Sequence, residues 1–327
     1  NRILLPVHTR QIVDRFFEFE YFGLVQAKGF DKPVESYTVL RPRLETGQRW
    51  LRRKSLFVGR DAELAKLTAA FAHLEHHLQG LDDQHPGISI IGIKGDAGLG
   101  KSRLVYELQQ AHLGRMTSIA CAASGILPSP FNLFINLLEN EFHLSTSEPL
   151  GIRQEKLEAG FDKLSGHLDD AGRDILSDAL PLIGMLLQIP YPDPRIRLSG
   201  NELFVHIRMA LQSLIEIILK TKLEQGKPVV LILDDLHWLD ENSATVLGTI
   251  LQRIFRDEAM DLQDKILVLM QYRQDYTPPE SICGYAGFEE LELKPLGDIE
   301  IKRLIRLNTK DLNLPDELLD KVVKLSN

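Results

Sequence analysis

The octet Gly95-Asp96-Ala97-Gly98-Leu99-Gly100-Lys101-Ser102 constrains this chain more than any other stretch of it. It fits a phosphate-binding loop: a glycine, four free positions, then Gly-Lys-Ser. At average residue usage such a pattern arises by chance in about one chain in a hundred of this length, and its flanks make chance a poorer explanation still. Ile88-Ser89-Ile90-Ile91-Gly92-Ile93 ahead of it is an apolar run suited to a buried strand. Arg103-Leu104-Val105-Tyr106-Glu107-Leu108 behind it carries apolar residues at helical spacing. Strand, glycine loop and helix are the order that phosphate binding needs. Gly98 and Gly100 let the backbone curl so that its N–H groups point inward. The helix N-terminus adds a field favourable to an anion. Lys101 can reach the outer phosphates, and Ser102 can offer its hydroxyl to Mg²⁺. The octet and its next residue thus assign Asp96, Ala97, Gly98, Leu99, Gly100, Lys101, Ser102 and Arg103 to nucleotide binding. An ordinary glycine turn is the bland reading of the same residues.

The rest of the chain supplies a sheet for such a loop. Expected strands are 88–94, 117–121, 229–234, 266–271 and 289–293. Residues 229–233 and 266–270 are continuous apolar runs, as in a parallel sheet covered on both faces. Residues 131–220 form a helical insertion, long for a simple crossover, which Pro181, Pro190, Pro192 and Pro194 break into several helices. Two amphipathic helices are expected near 298–307 and 315–325. At the N-terminus, 7–19 reads as a short helix, and 23–29 with 34–40 alternate like a hairpin. Forty residues are too few for a core of their own, so 1–40 reads as the tail of a larger domain. Arg41, Arg43, Arg49, Arg52, Arg53 and Lys54 crowd 41–55, a solvated linker or a phosphate-facing arm. The expected organisation is then 1–40, a linker 41–55, an α/β core 56–295 and a partial helical lid 296–327. The fold class is a three-layer α/β/α phosphate-loop NTPase with a parallel five-stranded core, and a small α+β piece ahead of it.

Composition removes several other classes. Net charge is −8 and pI about 5.7, so no basic footprint for nucleic acid is present. Cys121 and Cys283 give no disulfide framework, which suits a reducing, cytoplasmic setting. No apolar stretch approaches the roughly 18 residues that would span a membrane. His73, His76 and His77 share a helix at metal-compatible spacing, but no further His or Cys completes a set.

A phosphate loop needs a carboxylate partner for the metal and the attacking water. The strand 229–233 ends in Asp234-Asp235, acids delivered at the C-terminal edge of a buried strand. We assign Asp234 to Mg²⁺, through a water, and Asp235 to positioning the attacking water; the two could exchange roles. A turn made of two acids is the structural alternative.

Four stretches together resemble the STAND-type signalling ATPases, a branch of the AAA-related phosphate-loop proteins. They are Phe57-Val58-Gly59-Arg60-Asp61-Ala62-Glu63-Leu64, Leu233-Asp234-Asp235-Leu236-His237-Trp238-Leu239-Asp240, Met270-Gln271-Tyr272-Arg273 and Leu291-Glu292-Leu293-Lys294-Pro295-Leu296. The resemblance implies ATP or ADP with Mg²⁺, where the loop alone would accept ATP or GTP. It implies that Val58 and Gly59 flank adenine with Arg60 nearby, and that Arg273 senses the terminal phosphate. A cation there would stabilise charge on the transferring phosphoryl group; a surface ion pair is the other reading of Arg273. It also implies an extra strand between the loop strand and the acidic strand, a slot that 117–121 fills. His237 is open between a phosphate or water contact and a structural hydrogen bond, and Trp238 reads first as a packing residue. In that family a Gly-Asn-Pro-like segment and a winged-helix unit follow the lid; the chain reaches Asn327 before them, so ADP-locked autoinhibition is not implied for it.

Residues 14–20, 28–29 and 32–37 resemble the closing segment of class III nucleotide cyclases, without that family's metal aspartates. The resemblance implies no cyclase activity here, but a fused or neighbouring cyclase or other effector, the order seen in proteins similar to soluble adenylyl cyclase. The functional expectation is a slowly hydrolysing Mg-ATP-dependent signalling ATPase, with a homo-oligomer open and no direct nucleic-acid or membrane partner. A nucleotide-binding scaffold without significant hydrolysis and the regulatory half of a transcription factor are the alternatives.

Overall fold

In the computed structural model the two long apolar runs of the chain become neighbouring strands at the middle of one sheet. The structure describes residues 4–7, 9–10, 17–26, 33–42, 57–81, 88–125, 129–198, 200–256, 262, 264–309 and 314–326. The chain forms two compact units, Asn1–Ser55 and Leu56–Asn327.

The first unit carries β1 (Leu4–Pro6), β2 (Phe17–Val25) and β3 (Val34–Pro42), antiparallel in the order β1-β3-β2. Here the expected helix 7–19 is corrected. Phe17 and Phe19 belong to β2, because Phe17-Glu18-Phe19-Glu20-Tyr21 alternates with a period of two. Residues 11–16 and most of the basic stretch 41–55 lie outside the described residues. The expected hairpin is the β2–β3 pair, irregular between Tyr21 and Gly23, where Gly23 takes φ +126°.

The second unit holds the remaining strands: β4 (Ile90–Lys94), β5 (Thr117–Ala122), β6 (Val229–Asp234), β7 (Ile266–Tyr272) and β8 (Phe288–Glu292). All pair in parallel, in the order β5-β6-β7-β4-β8. Alternate residues feed two cores. Ile91, Ile93, Val230, Ile232, Leu267 and Leu269 face α1 (Asp61–Leu78) and α2 (Lys101–Ala111) through Leu67, Phe71, Leu74, Leu104 and Leu108. Ile90, Leu231, Leu233, Val268 and Met270 face the opposite layer. That layer includes α3 (Asn132–Glu141), α4 (Leu150–Ser165), α5 (Asp170–Leu186), α6 (Gly200–Leu223) and α7 (Glu241–Arg256). The result is a three-layer α/β fold. A short helix α8 (Glu280–Cys283) precedes β8, and α9 (Asp298–Asn308) and α10 (Asp316–Ser326) follow it.

Two expectations are corrected. The strand between the loop strand β4 and the acidic strand β6 is β7; 117–122 is the edge strand. Chain order and sheet order differ because each crossover can skip a position. Composition separates the two strands: all seven residues of β7 are buried, whereas Ser118 and Ala120 of β5 are exposed. Pro181 does not break a helix but lies inside α5, beside buried Leu182 and Ile183. Burial of those neighbours outweighs the missing backbone hydrogen bond.

An open edge strand invites pairing with other chains, and α3 covers this one with an asparagine on each successive turn. Asn136 Oδ1 accepts from the Ala122 N–H at 2.9 Å, Asn132 Oδ1 accepts from Ser124 N–H at 3.0 Å, and Asn140 Nδ2 donates to the Ala120 carbonyl at 3.0 Å. Asn136→Ala strips the partner from Ala122 and is expected to cost about 1–2 kcal/mol, read as a lower urea midpoint at unchanged m. An unchanged midpoint would remove the edge-cover role.

Close packing also fixes the loop strand. A Cβ on Gly92 would stand 2.1 Å from the Tyr272 hydroxyl, which donates to Glu290 across β8 at 2.9 Å. Only glycine lets β4 carry this neighbour.

Candidate functional site

The chain leaves β4 at Lys94, turns through Gly95–Gly100 and enters α2 at Lys101. Two glycines make the turn possible, with φ +87° at Gly98 and +92° at Gly100. No side chain caps α2 at its N-terminus, and no acid stands in its first turn. Its first N–H groups and their positive field therefore face outward unneutralised. Asp96, Ala97, Gly98 and Gly100 are exposed along the loop, and Leu99 is half-buried. Lys101 is the exception, with its side chain buried over the loop. Its ammonium donates to the Gly95 carbonyl at 2.7 Å and the Asp96 carbonyl at 3.0 Å. Burial lowers its pKa, against the pull of the Asp235 and Asp234 carboxylates. Arg103, one residue past the octet, pairs with Glu107 one turn on, at 2.5 Å.

Strand β6 brings the first acid to the loop. Ser102 Oγ donates to Asp234 Oδ2 at 3.1 Å, across 132 residues of sequence. Burial, then the charge of Asp235, raises the Asp234 pKa. The Asp235 N–H, donating to Asp234 Oδ1 at 2.9 Å, opposes the rise. Adjacent strand residues face opposite sides, yet both acids serve one edge, because Asp235 has left the strand. It takes φ +54°, ψ 36° and opens the 3₁₀ turn Leu236–Trp238, with its side chain 53% exposed.

Arg273 is the first residue after β7, between the ends of β4 and β6. Its guanidinium stands 5.9 Å from the centre of the Trp238 ring, and its charge acts on Lys101. Lys101, Ser102, Asp234, Asp235 and Arg273 are thus gathered at one edge of the sheet. His237 and Trp238 join them. The His237 ring is buried, without a hydrogen-bond partner at either nitrogen, and burial lowers its pKa. Trp238 lies against Gly125, where a Cβ would meet the indole at 2.5 Å.

The segment before α1 also borders the loop. Val58 is buried. A Cβ on Gly59, at φ +61°, would stand 2.7 Å from the Glu300 carboxylate of α9. Arg60, at φ +102°, directs its guanidinium to Glu63 at 3.0 Å, to the Leu99 carbonyl at 3.4 Å and to the Lys294 carbonyl. It ties the loop to the chain after β8 through main-chain oxygens.

Sequence reasoning gave no role to Asp240, although its spacing from Ser243 is that of a helix cap. Its carboxylate accepts from Ser243 N–H at 2.9 Å, and from Phe131 and Asn132 N–H at 3.2 Å each, joining the starts of α7 and α3. His73, His76 and His77 gather no further ligands: among the described residues no cluster of three His, Cys, Asp or Glu could hold a metal. A cavity of about 490 Å³ under the insertion, lined by the ends of α3, α4 and α6, includes none of the residues assigned from sequence.

The AAA ATPase domain family matches residues 56–260. The whole chain is 24% identical over 336 aligned residues to an uncharacterised protein of Rhizobium meliloti, and it spans 29% of that relative's length. Solved structures with a similar course include the E. coli HORMA:CdnC:Trip13 complex, at TM-score 0.44 and 12% identity over 96% of this chain and 81% of that one. Cdc6p from Pyrobaculum aerophilum gives TM-score 0.44 and 14% identity over 80% of this chain and 52% of that one. No described helix is long and apolar enough to cross a membrane.

Proposed function

The chain belongs to the AAA ATPase domain family, and we propose that it binds Mg-ATP at the β4–α2 loop and hydrolyses it slowly as a STAND-type signalling module. The observation that carries this reading is the contact of Ser102 with Asp234, which joins the loop to the acidic strand. The donor set suits Mg²⁺. A hydroxyl and a carboxylate are hard oxygen ligands, and no all-protein cage surrounds them. Mg²⁺ takes only one or two protein oxygens and fills its octahedron with water and substrate phosphate. Ser102 would hold the ion directly and Asp234 through a water; the ion supplies neutralisation of phosphate charge.

The chain's own groups do the rest. Amides of Ala97 to Ser102, with Arg103 behind them, cradle the phosphates. Lys101 leaves the Gly95 and Asp96 carbonyls to meet the outer phosphate oxygens. Asp235, exposed at the rim, orients the attacking water and draws on its proton. Arg273 turns from Trp238 to the terminal phosphate, where its charge stabilises the transferring group. Val58 and Gly59 flank adenine, with Arg60 holding that wall to the loop. Purified protein given ATP and Mg²⁺ is expected to release phosphate, and excess EDTA to slow release at least about tenfold. Metal-independent release, or none at all, would overturn hydrolysis.

The signalling part of the proposal rests on the two resemblances and on the first unit. Tyr21, Phe22 and Leu24 of β2 are about half exposed or more, as expected for strands that belong to a larger domain. The effector so regulated is a fused or neighbouring nucleotide cyclase, and the setting is the cytoplasm.

A further inference from the structure

The mechanism above leaves one buried polar group at the rim without a task. His237 lies two residues after Asp235. Its side chain is 7% exposed, and neither ring nitrogen has a hydrogen-bond partner. Buried polar nitrogens are almost always paired, so an unpaired one needs a reason. Nδ1 stands 3.9 Å from Asp235 Oδ1, beyond a hydrogen bond but within a small adjustment of one. The charges that act on the ring come from Asp235, Arg273, Lys101 and Asp275. Those of Asp235, Arg273 and Lys101 are the ones assigned to the terminal phosphate and the water. His112 provides a contrast. It too is buried with both nitrogens unpaired, but it packs on Phe71 at 4.4 Å, and the charges near it are Arg115 and Glu75. Burial and missing partners are common to both; only His237 adjoins the reacting groups.

We propose that His237 holds the attacking water together with Asp235, turning Nδ1–H to the Asp235 carboxylate and offering Nε2 as acceptor to the water. This rests on the ATPase reading above. It explains why a buried imidazole stands where a leucine would pack as well: the ring waits for a hydrogen bond that exists only when the terminal phosphate and its water are in place.

Affinity for ADP, affinity for ADP with aluminium fluoride and Mg²⁺, and phosphate release separate the possibilities. Wild type, His237→Gln, His237→Phe and His112→Phe are compared. His237→Phe is expected to bind ADP like wild type but the aluminium fluoride complex at least about tenfold more weakly, with kcat lowered by a similar factor and KM unchanged. His237→Gln, which keeps an acceptor, is expected to fall between and guards against misfolding of the Phe variant. His112→Phe should match wild type in all three. Equal affinity of wild type and both His237 variants for the aluminium fluoride complex overturns the proposal while leaving the ATPase reading intact. A parallel loss of ADP and complex affinity makes His237 a packing residue. Failure of wild type itself to bind the complex overturns the ATPase reading beneath it.

Discussion

Asp235→Asn is expected to bind ATP as wild type does and to release phosphate at least about 100-fold more slowly, the range for removing a group that handles the reacting water's proton. The separation follows from where Asp235 sits. It is off the strand, in a left-handed turn, with half of its side chain in solvent. Neither the loop amides nor the Ser102–Asp234 contact depends on its charge. Substitution by Asn keeps the turn, since Asn tolerates positive φ, and keeps the N–H that donates to Asp234. Stability should move little, so slow phosphate release would report chemistry. Wild-type turnover in Asp235→Asn would show that Asp234 serves the water and would exchange the two roles. Loss of ATP binding would place Asp235 on the metal.

Lys101→Ala is expected to lose ATP affinity by about 10- to 100-fold, the equivalent of one charge-assisted hydrogen-bond pair at about 1.5–3 kcal/mol. The lysine has two states in this account. Without nucleotide it closes the loop by donating to the Gly95 and Asp96 carbonyls; with nucleotide the same ammonium meets phosphate. Removing it therefore costs binding and also leaves two carbonyls without a donor. A modest fall in melting temperature should accompany the loss of affinity. Lys101→Arg is no neutral control, because a planar fork cannot replace a compact ammonium against two converging carbonyls. Equal ATP affinity in wild type and Lys101→Ala would remove the loop from the binding site.

The centre of the sheet and the loop were legible in sequence for one reason: both are dictated locally. Continuous apolar runs such as 229–233 can only be covered strands, and glycines at 98 and 100 must take positive φ to turn back into a helix. What escaped was set by long-range partners. The place of 117–122 at the edge depends on which strand reaches β6 first, and no local pattern states that. The asparagines of α3 look like polar surface residues until the sheet edge they cover is known. Phe17 and Phe19 were read in a helix because residues before them suggested one, although their own alternation is that of a strand. Pro181 shows the reverse error: a strong local rule yielded to the burial of its neighbours. At the site itself, adjacency of Asp234 and Asp235 hid the left-handed residue that separates them.

The measurement that bears most directly on the central claim is a crystal structure of the protein grown with Mg²⁺ and a non-hydrolysable ATP analogue. The account places the phosphates within hydrogen-bond distance of the backbone N–H groups of Gly98 to Ser102. It places one ion on Ser102 Oγ, with Asp234 reaching it through a bound water. An analogue seated elsewhere, or an ion touching neither Ser102 nor the water shell of Asp234, would contradict it.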